Sequence, residues 1–133
     1  WAGERTAAEP LVLVLHIAYA FVPLGFLLLA LSIYAPDILV PSGALHSWTT
    51  GAIGLMILAV MTRASLGHTG QPLTATRGIT AIYVATFIAA LARIAAAFDL
   101  APEPMLHISA AAWVLGFAGF AAIYAPLLTR PRQ

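Results

Sequence analysis

The sequence predicts an all-α fold: a polytopic bundle of four transmembrane helices in a single domain over residues 1–133. Three observations predict it. First, 62% of the chain is hydrophobic and only 8% is charged. Soluble domains average about 45–50% apolar and about 25% charged, so these few charges cannot clothe a soluble globule. Second, the charges stand far apart. Uncharged runs of 27, 25, 15 and 26 residues separate Glu9 from Asp37, Asp37 from Arg63, Arg77 from Arg93, and Glu103 from Arg130. A helix needs about 20 apolar residues to cross the hydrocarbon core. Third, Pro and Gly cluster between these runs, as loop punctuation does. No run alternates with period two, and open sheet edges are not tolerated in lipid.

The first span is expected at roughly 11–32. It contains Pro23, whose missing N–H predicts a kink near Tyr19. Tyr34-Ala35-Pro36-Asp37 and Pro41-Ser42-Gly43 form the first loop. The second span is expected at roughly 44–62, with Arg63 at its end. Gly67 then predicts a left-handed cap that turns His68 back toward the bundle. Thr74 or Thr76 can cap the third span, roughly 77–98. Ala101-Pro102-Glu103-Pro104 precedes the fourth, roughly 105–128. Gly51, Gly54, Ala112, Gly116 and Gly119 predict close helix packing, because small residues let backbones approach.

Arginines predict the orientation. Arg5, Arg63, Arg77, Arg130 and Arg132 collect on one side, A. Arg93 alone belongs to the other, B, near Asp37, Asp99 and Glu103. The positive-inside rule places side A, and with it both ends of the segment, in the cytoplasm.

Several chemistries are excluded. With no cysteine there are no disulfides, thiolate metal sites, iron–sulfur clusters or catalytic thiols. Six arginines scattered through an apolar chain without lysine make no nucleic-acid surface; the expected surroundings are the lipid bilayer. No glycine-rich phosphate loop, intramembrane carboxylate pair or Ser-His-Asp arrangement is present.

The four histidines carry the remaining information. Imidazole is a common metal ligand and proton relay, and ionisable groups inside spans default to function. His46 and His107 each begin a span on side B, so their rings lie at similar depth. They are candidates for a shared haem or copper site, against the alternative of two separate interfacial histidines. His16 lies near side A with Tyr19 on its face. His16 and His68 are candidates for a second metal site there, against the alternative that His68 is an exposed loop residue. Arg93 is favoured as a snorkelling side chain paired with Asp99 or Glu103; the sharper alternative is a guanidinium that binds an acidic group such as a haem propionate. Trp48 and Trp113 read as interfacial belt aromatics. Residues 15–26, LHIAYAFVPLGF, and 106–117, LHISAAAWVLGF, share seven of twelve positions. An inverted repeat and coincidence are equally weighted accounts.

The run Leu45-His46-Ser47-Trp48-Thr49-Thr50-Gly51-Ala52-Ile53-Gly54 continues to Met61-Thr62-Arg63-Ala64-Ser65-Leu66-Gly67-His68-Thr69-Gly70-Gln71-Pro72-Leu73. Together with Leu15-His16, Tyr19 and Val22-Pro23-Leu24-Gly25, it closely resembles the NnrS family. The segment from Met61 to Leu73 is its most specific part. Gln71 departs from the pattern, which has Arg there, and this puts in doubt a positive charge at that position. The resemblance implies a polytopic protein of the bacterial inner membrane with about twelve spans, of which this chain matches the C-terminal third. Trp1 and the arginine-rich end, Thr129 to Gln133, suit such a fragment. It also implies haem and copper, a role in the nitric oxide response, protection against nitrosative stress and a link to denitrification. The remaining spans of the parent and nitric oxide are the partners so implied. No motif separates turnover of nitric oxide from sensing or repair. Two other classes compete: half of a proton-coupled secondary transporter, and a structural transmembrane module with packing histidines.

Overall fold

A computed structural model describes residues 9–129. Four helices are long and apolar enough to cross a membrane: α1 (Pro10–Tyr34), α2 (Ser42–His68), α3 (Arg77–Ala97) and α4 (Pro102–Leu128). No strand occurs among the described residues. Short connections make consecutive helices antiparallel. Pro10, His68, Arg77 and Leu128 therefore share end A, and Tyr34, Ser42, Ala97 and Pro102 share end B. Arg5, Arg130 and Arg132 lie outside the described residues.

Proline at the start of α1 and α4 fits the first helical turn, whose N–H groups lack intrahelical partners in any case. Pro23 sits inside α1, and the helix continues through it to Tyr34. Of the two expected caps Thr76 forms: its hydroxyl accepts from the Ile79 N–H at 3.3 Å. The expected Gly67 cap does not. Helix α2 runs through Gly67 to His68, and the left-handed residue is Gly70, at φ 69°. There the Gln71 N–H donates to Leu66 O at 2.9 Å and the Gly70 N–H to Gly67 O at 3.2 Å. This pair of bonds is a Schellman cap, which satisfies the last carbonyls. Arg63 marked the end of the apolar stretch, but a charge ends the lipid contact and not the helix. Gly70→Ala is expected to cost about 1–2 kcal/mol, the penalty of a Cβ in the left-handed region, read as a lower midpoint in detergent unfolding.

Helix α1 packs along α2, α2 along α3, and α3 most extensively along α4. Between α3 and α4 the backbones come close where Ala89, Ala112 and Gly116 are buried, and the Ser109 hydroxyl donates to Ala89 O at 2.8 Å. Helix α1 reaches α3 through Phe21 and Phe87, whose rings meet edge-on at 5.8 Å. The first loop is tied to α3 by Val40 N–H donating to Ala97 O at 3.4 Å. The short α3–α4 connection holds Asp99 and Ala101 at positive φ, 58° and 43°. Turning two long helices in so few residues is what imposes this.

Helix α2 is not uniform. Residues Ser47–Gly54 form a π-helix, in which bonds run to the fifth residue and the helix widens. Two bonds to α1 hold this wide segment. The Ser47 hydroxyl donates to Phe21 O at 2.8 Å, and the Trp48 indole N–H donates to Val22 O at 3.0 Å. The two helices also interlock. The Trp48 indole occupies the space where Gly25 has no Cβ, and the Phe21 ring does the same over Gly51. Trp48 thus does more than line an interface: half-buried, it ties α2 to α1. It is turned into the bundle, with Phe26 edge-on at 5.0 Å.

Candidate functional site

Near end B, a lateral groove of about 630 Å³ opens between α2, α3 and α4. His46, Thr50 and Ile53 on α2 form one wall. Trp113 and Phe117 on α4 form the other, with ring centroids 4.5 Å apart. Ser109 and Arg93 close the end B limit of the groove. His46 follows Ser42 by four residues and Arg93 precedes Ala97 by four, so both lie roughly 6 Å inside the helix ends.

At this end the Arg93 Nε–H donates to His46 Nε2 at 3.2 Å. A guanidinium can only donate, so Nε2 accepts and the imidazole carries its proton on Nδ1. Arg93 is half-buried and makes no ion pair with Asp99 or Glu103 among the described residues. The favoured snorkelling account is replaced by a tertiary contact, because the side chain runs across to α2 instead of out along α3. His46 and Arg93 also line a smaller cavity of about 200 Å³ with Ser42, Pro102 and Leu106. The pair is therefore the partition between a recess at end B and the groove proper.

The other sequence candidates lie elsewhere. His107 is exposed and lines neither cavity. It stands beside the groove wall, three residues before Ala110, which lines it. His16 is half-buried, and its Nδ1 is 3.1 Å from Val12 O. It lines a groove of about 340 Å³ with Leu15, Tyr19 and Met56 on the outer side of α1 and α2. His68 is exposed at the end of α2. It lies twelve residues beyond Met56, roughly 18 Å along the helix axis. The structure brings His46 and Arg93 together. It does not bring His16 to His68, since α2 stays helical through Gly67. Among the described residues no three His, Asp or Glu side chains cluster as a metal site.

Sequence reasoning missed Thr50, Ser109 and Phe117 as groove residues. For Thr50 the signal was available in its spacing from His46. For Ser109 and Phe117 it was not, because only the α3–α4 crossing decides which face of α4 turns inward.

No curated protein and no solved structure matches this chain. One family model does, described as NnrS protein, and it matches residues 1–132. The sequence resemblance and this match over nearly the whole chain agree: the chain belongs to the NnrS family.

Proposed function

We propose that this chain is part of a haem- and copper-containing protein of the bacterial inner membrane that takes part in the nitric oxide response and protects against nitrosative stress. The observation that carries the reading is the His46–Arg93 pair at the end of an aromatic-walled groove, in a chain of the NnrS family. A haem asks for an imidazole ligand, a cation for its acid groups and apolar walls. His46, Arg93 and the Trp113–Phe117 wall supply one of each. The groove volume lies within the range of about 300–1,000 Å³ typical of ligand pockets. Bound haem supplies an iron centre that takes diatomic gases and changes redox state. For His46 to bind the iron, Arg93 would give up the Nε2 lone pair it now occupies and offer its N–H groups to a carboxylate, while Trp113 and Phe117 limit access of water. His107, beside the groove, is the proposed second imidazole.

The fit to copper is different. Copper sites gather several nitrogen or sulfur donors, and the described residues form no such group. His16 and His68 are proposed as copper ligands that complete their sites with groups from other spans of the parent.

A reduced-minus-oxidised visible spectrum of the purified full-length protein, with iron and copper analysis on the same sample, tests the reading. Haem bands with copper support it. A colourless, metal-free protein from cells supplied with both would overturn it and direct work to proton-coupled uptake in vesicles.

The orientation is proposed from the arginine distribution, with end A cytoplasmic. The segment has no native cysteine, so single cysteines can report on it in an otherwise cysteine-free full-length protein. In spheroplasts, Asp37→Cys is expected to react with a membrane-impermeant maleimide and Gln71→Cys to react only after lysis. The reverse pattern inverts the assignment.

A further inference from the structure

A second polar site lies at the opposite end of the bundle from His46 and Arg93. Thr62 on α2, Tyr83 on α3 and Tyr124 on α4 are 0%, 6% and 1% exposed. Thr62 is six residues from His68, Tyr83 six from Arg77 and Tyr124 four from Leu128. All three therefore lie roughly 6–9 Å inside end A. Thr62 interacts with both phenol groups, yet none of the three oxygens meets a partner in hydrogen-bond geometry among the described residues.

This is unusual chemistry for the interior of an apolar bundle. A buried hydroxyl without a partner bears its full desolvation penalty, and most such groups are satisfied. Helical threonines have an easy remedy, a bond back to the carbonyl four residues earlier. Thr49, Thr80 and Thr86 all take it, at 2.8, 3.2 and 3.0 Å. Thr62 does not; its hydroxyl belongs to the group shared with the two tyrosines. Three helices thus each contribute one hydroxyl to one place, and each hydroxyl can both donate and accept.

We propose that Thr62, Tyr83 and Tyr124 form a binding site for an ordered water molecule, a small neutral hydrogen-bonding ligand held by one hydroxyl from each of α2, α3 and α4. Water suits the site because it typically makes about three hydrogen bonds in a protein interior. At end A a cavity of about 250 Å³ lined by Gln71 and Thr76 is bordered by the Tyr124 side chain, whose hydroxyl is turned away from it into the bundle. On the other side of the site Tyr83 borders an apolar cavity of about 160 Å³ between α1, α2 and α3. This site is independent of the proposed haem and copper ligands.

Water-edited solid-state NMR of the full-length protein in lipid bilayers, with ring-labelled tyrosine, tests it. Phenylalanine variants assign the two signals. Tyr83 and Tyr124 are expected to receive magnetisation from water early, despite their burial. Thr62→Val is expected to slow that build-up several-fold at both tyrosines, and Thr62→Ser to preserve it. Should Thr62→Val not fold, Tyr124→Phe gives the same reading through a slower build-up at Tyr83. Absence of early transfer at both tyrosines, or rates that ignore the Thr62→Val and Tyr124→Phe changes, would overturn the proposal.

Discussion

His46→Ala is expected to abolish the haem absorption of the purified full-length protein, and Arg93→Gln to weaken haem retention about 10–100-fold, the usual effect of losing a group that supports a bound metal from outside its ligand shell. The two effects have different causes. His46 offers the imidazole nitrogen, and alanine has nothing to replace it. Arg93 donates to that nitrogen at 3.2 Å, so the pair must separate before the imidazole can bind iron, and it presents the only cation in the groove among the described residues for an acid group. Glutamine keeps a donor and removes the charge. Iron content and the visible spectrum are the measurements, with circular dichroism confirming that each variant remains helical. Full haem occupancy in His46→Ala would sink the assignment. Equal loss from His16→Ala and none from His46→Ala would move it to the α1–α2 groove.

Trp48→Ala is expected to destabilise the bundle by about 3 kcal/mol, the lower end for truncating a large aromatic. Little of this comes from transfer to water, since lipid is as apolar as the interior. The loss is the packing over Gly25 and the indole bond to Val22 O. Gly25→Leu alone overpacks the same space and is expected to cost about 1–3 kcal/mol or more. The double variant places leucine where the indole was, so it is expected to be more stable than either change summed predicts. Unfolding in mixed micelles measures all three. Additive losses in the double variant would show that the indole and Gly25 do not share one space.

The elements were largely legible in the residues. Charge spacing and Pro–Gly punctuation located four spans to within a few residues of Pro10–Tyr34, Ser42–His68, Arg77–Ala97 and Pro102–Leu128. Hydropathy is a local property, so a local reading finds it. The largest miss, the extra turns from Arg63 to His68, arose because lipid contact and helix continuity end for different reasons. The first stops at a charge, the second only at the Gly70 cap. The π-helix of residues Ser47–Gly54 was not legible, because the Ser47 and Trp48 side chains that tie it down bond to Phe21 and Val22 carbonyls more than twenty residues away.

The site divided the same way. His46 and Arg93 were each singled out as intramembrane ionisable groups, 47 positions apart. That they touch was not legible, and Arg93 was favoured for the interface. Depth follows from counting residues along a helix. Facing does not, because it depends on how each helix is rotated about its own axis against its neighbours.

The sequence alone therefore determined the class of molecule, the number of spans, their ends within about two turns, and which residues carry ionisable chemistry. Each follows from composition and from transfer between water and lipid, which act residue by residue. The tertiary structure decided the rest. It turned Trp48 into α1, placed Arg93 on His46, left His107 outside the groove and His68 at the helix end, and gathered Thr62, Tyr83 and Tyr124. In an apolar bundle the four helices differ little in hydrophobic character around their circumference. Rotation and register are then set by shape, by glycine hollows that admit aromatic rings, and by a few hydrogen bonds between distant residues. Those couplings exist only once the helices have met.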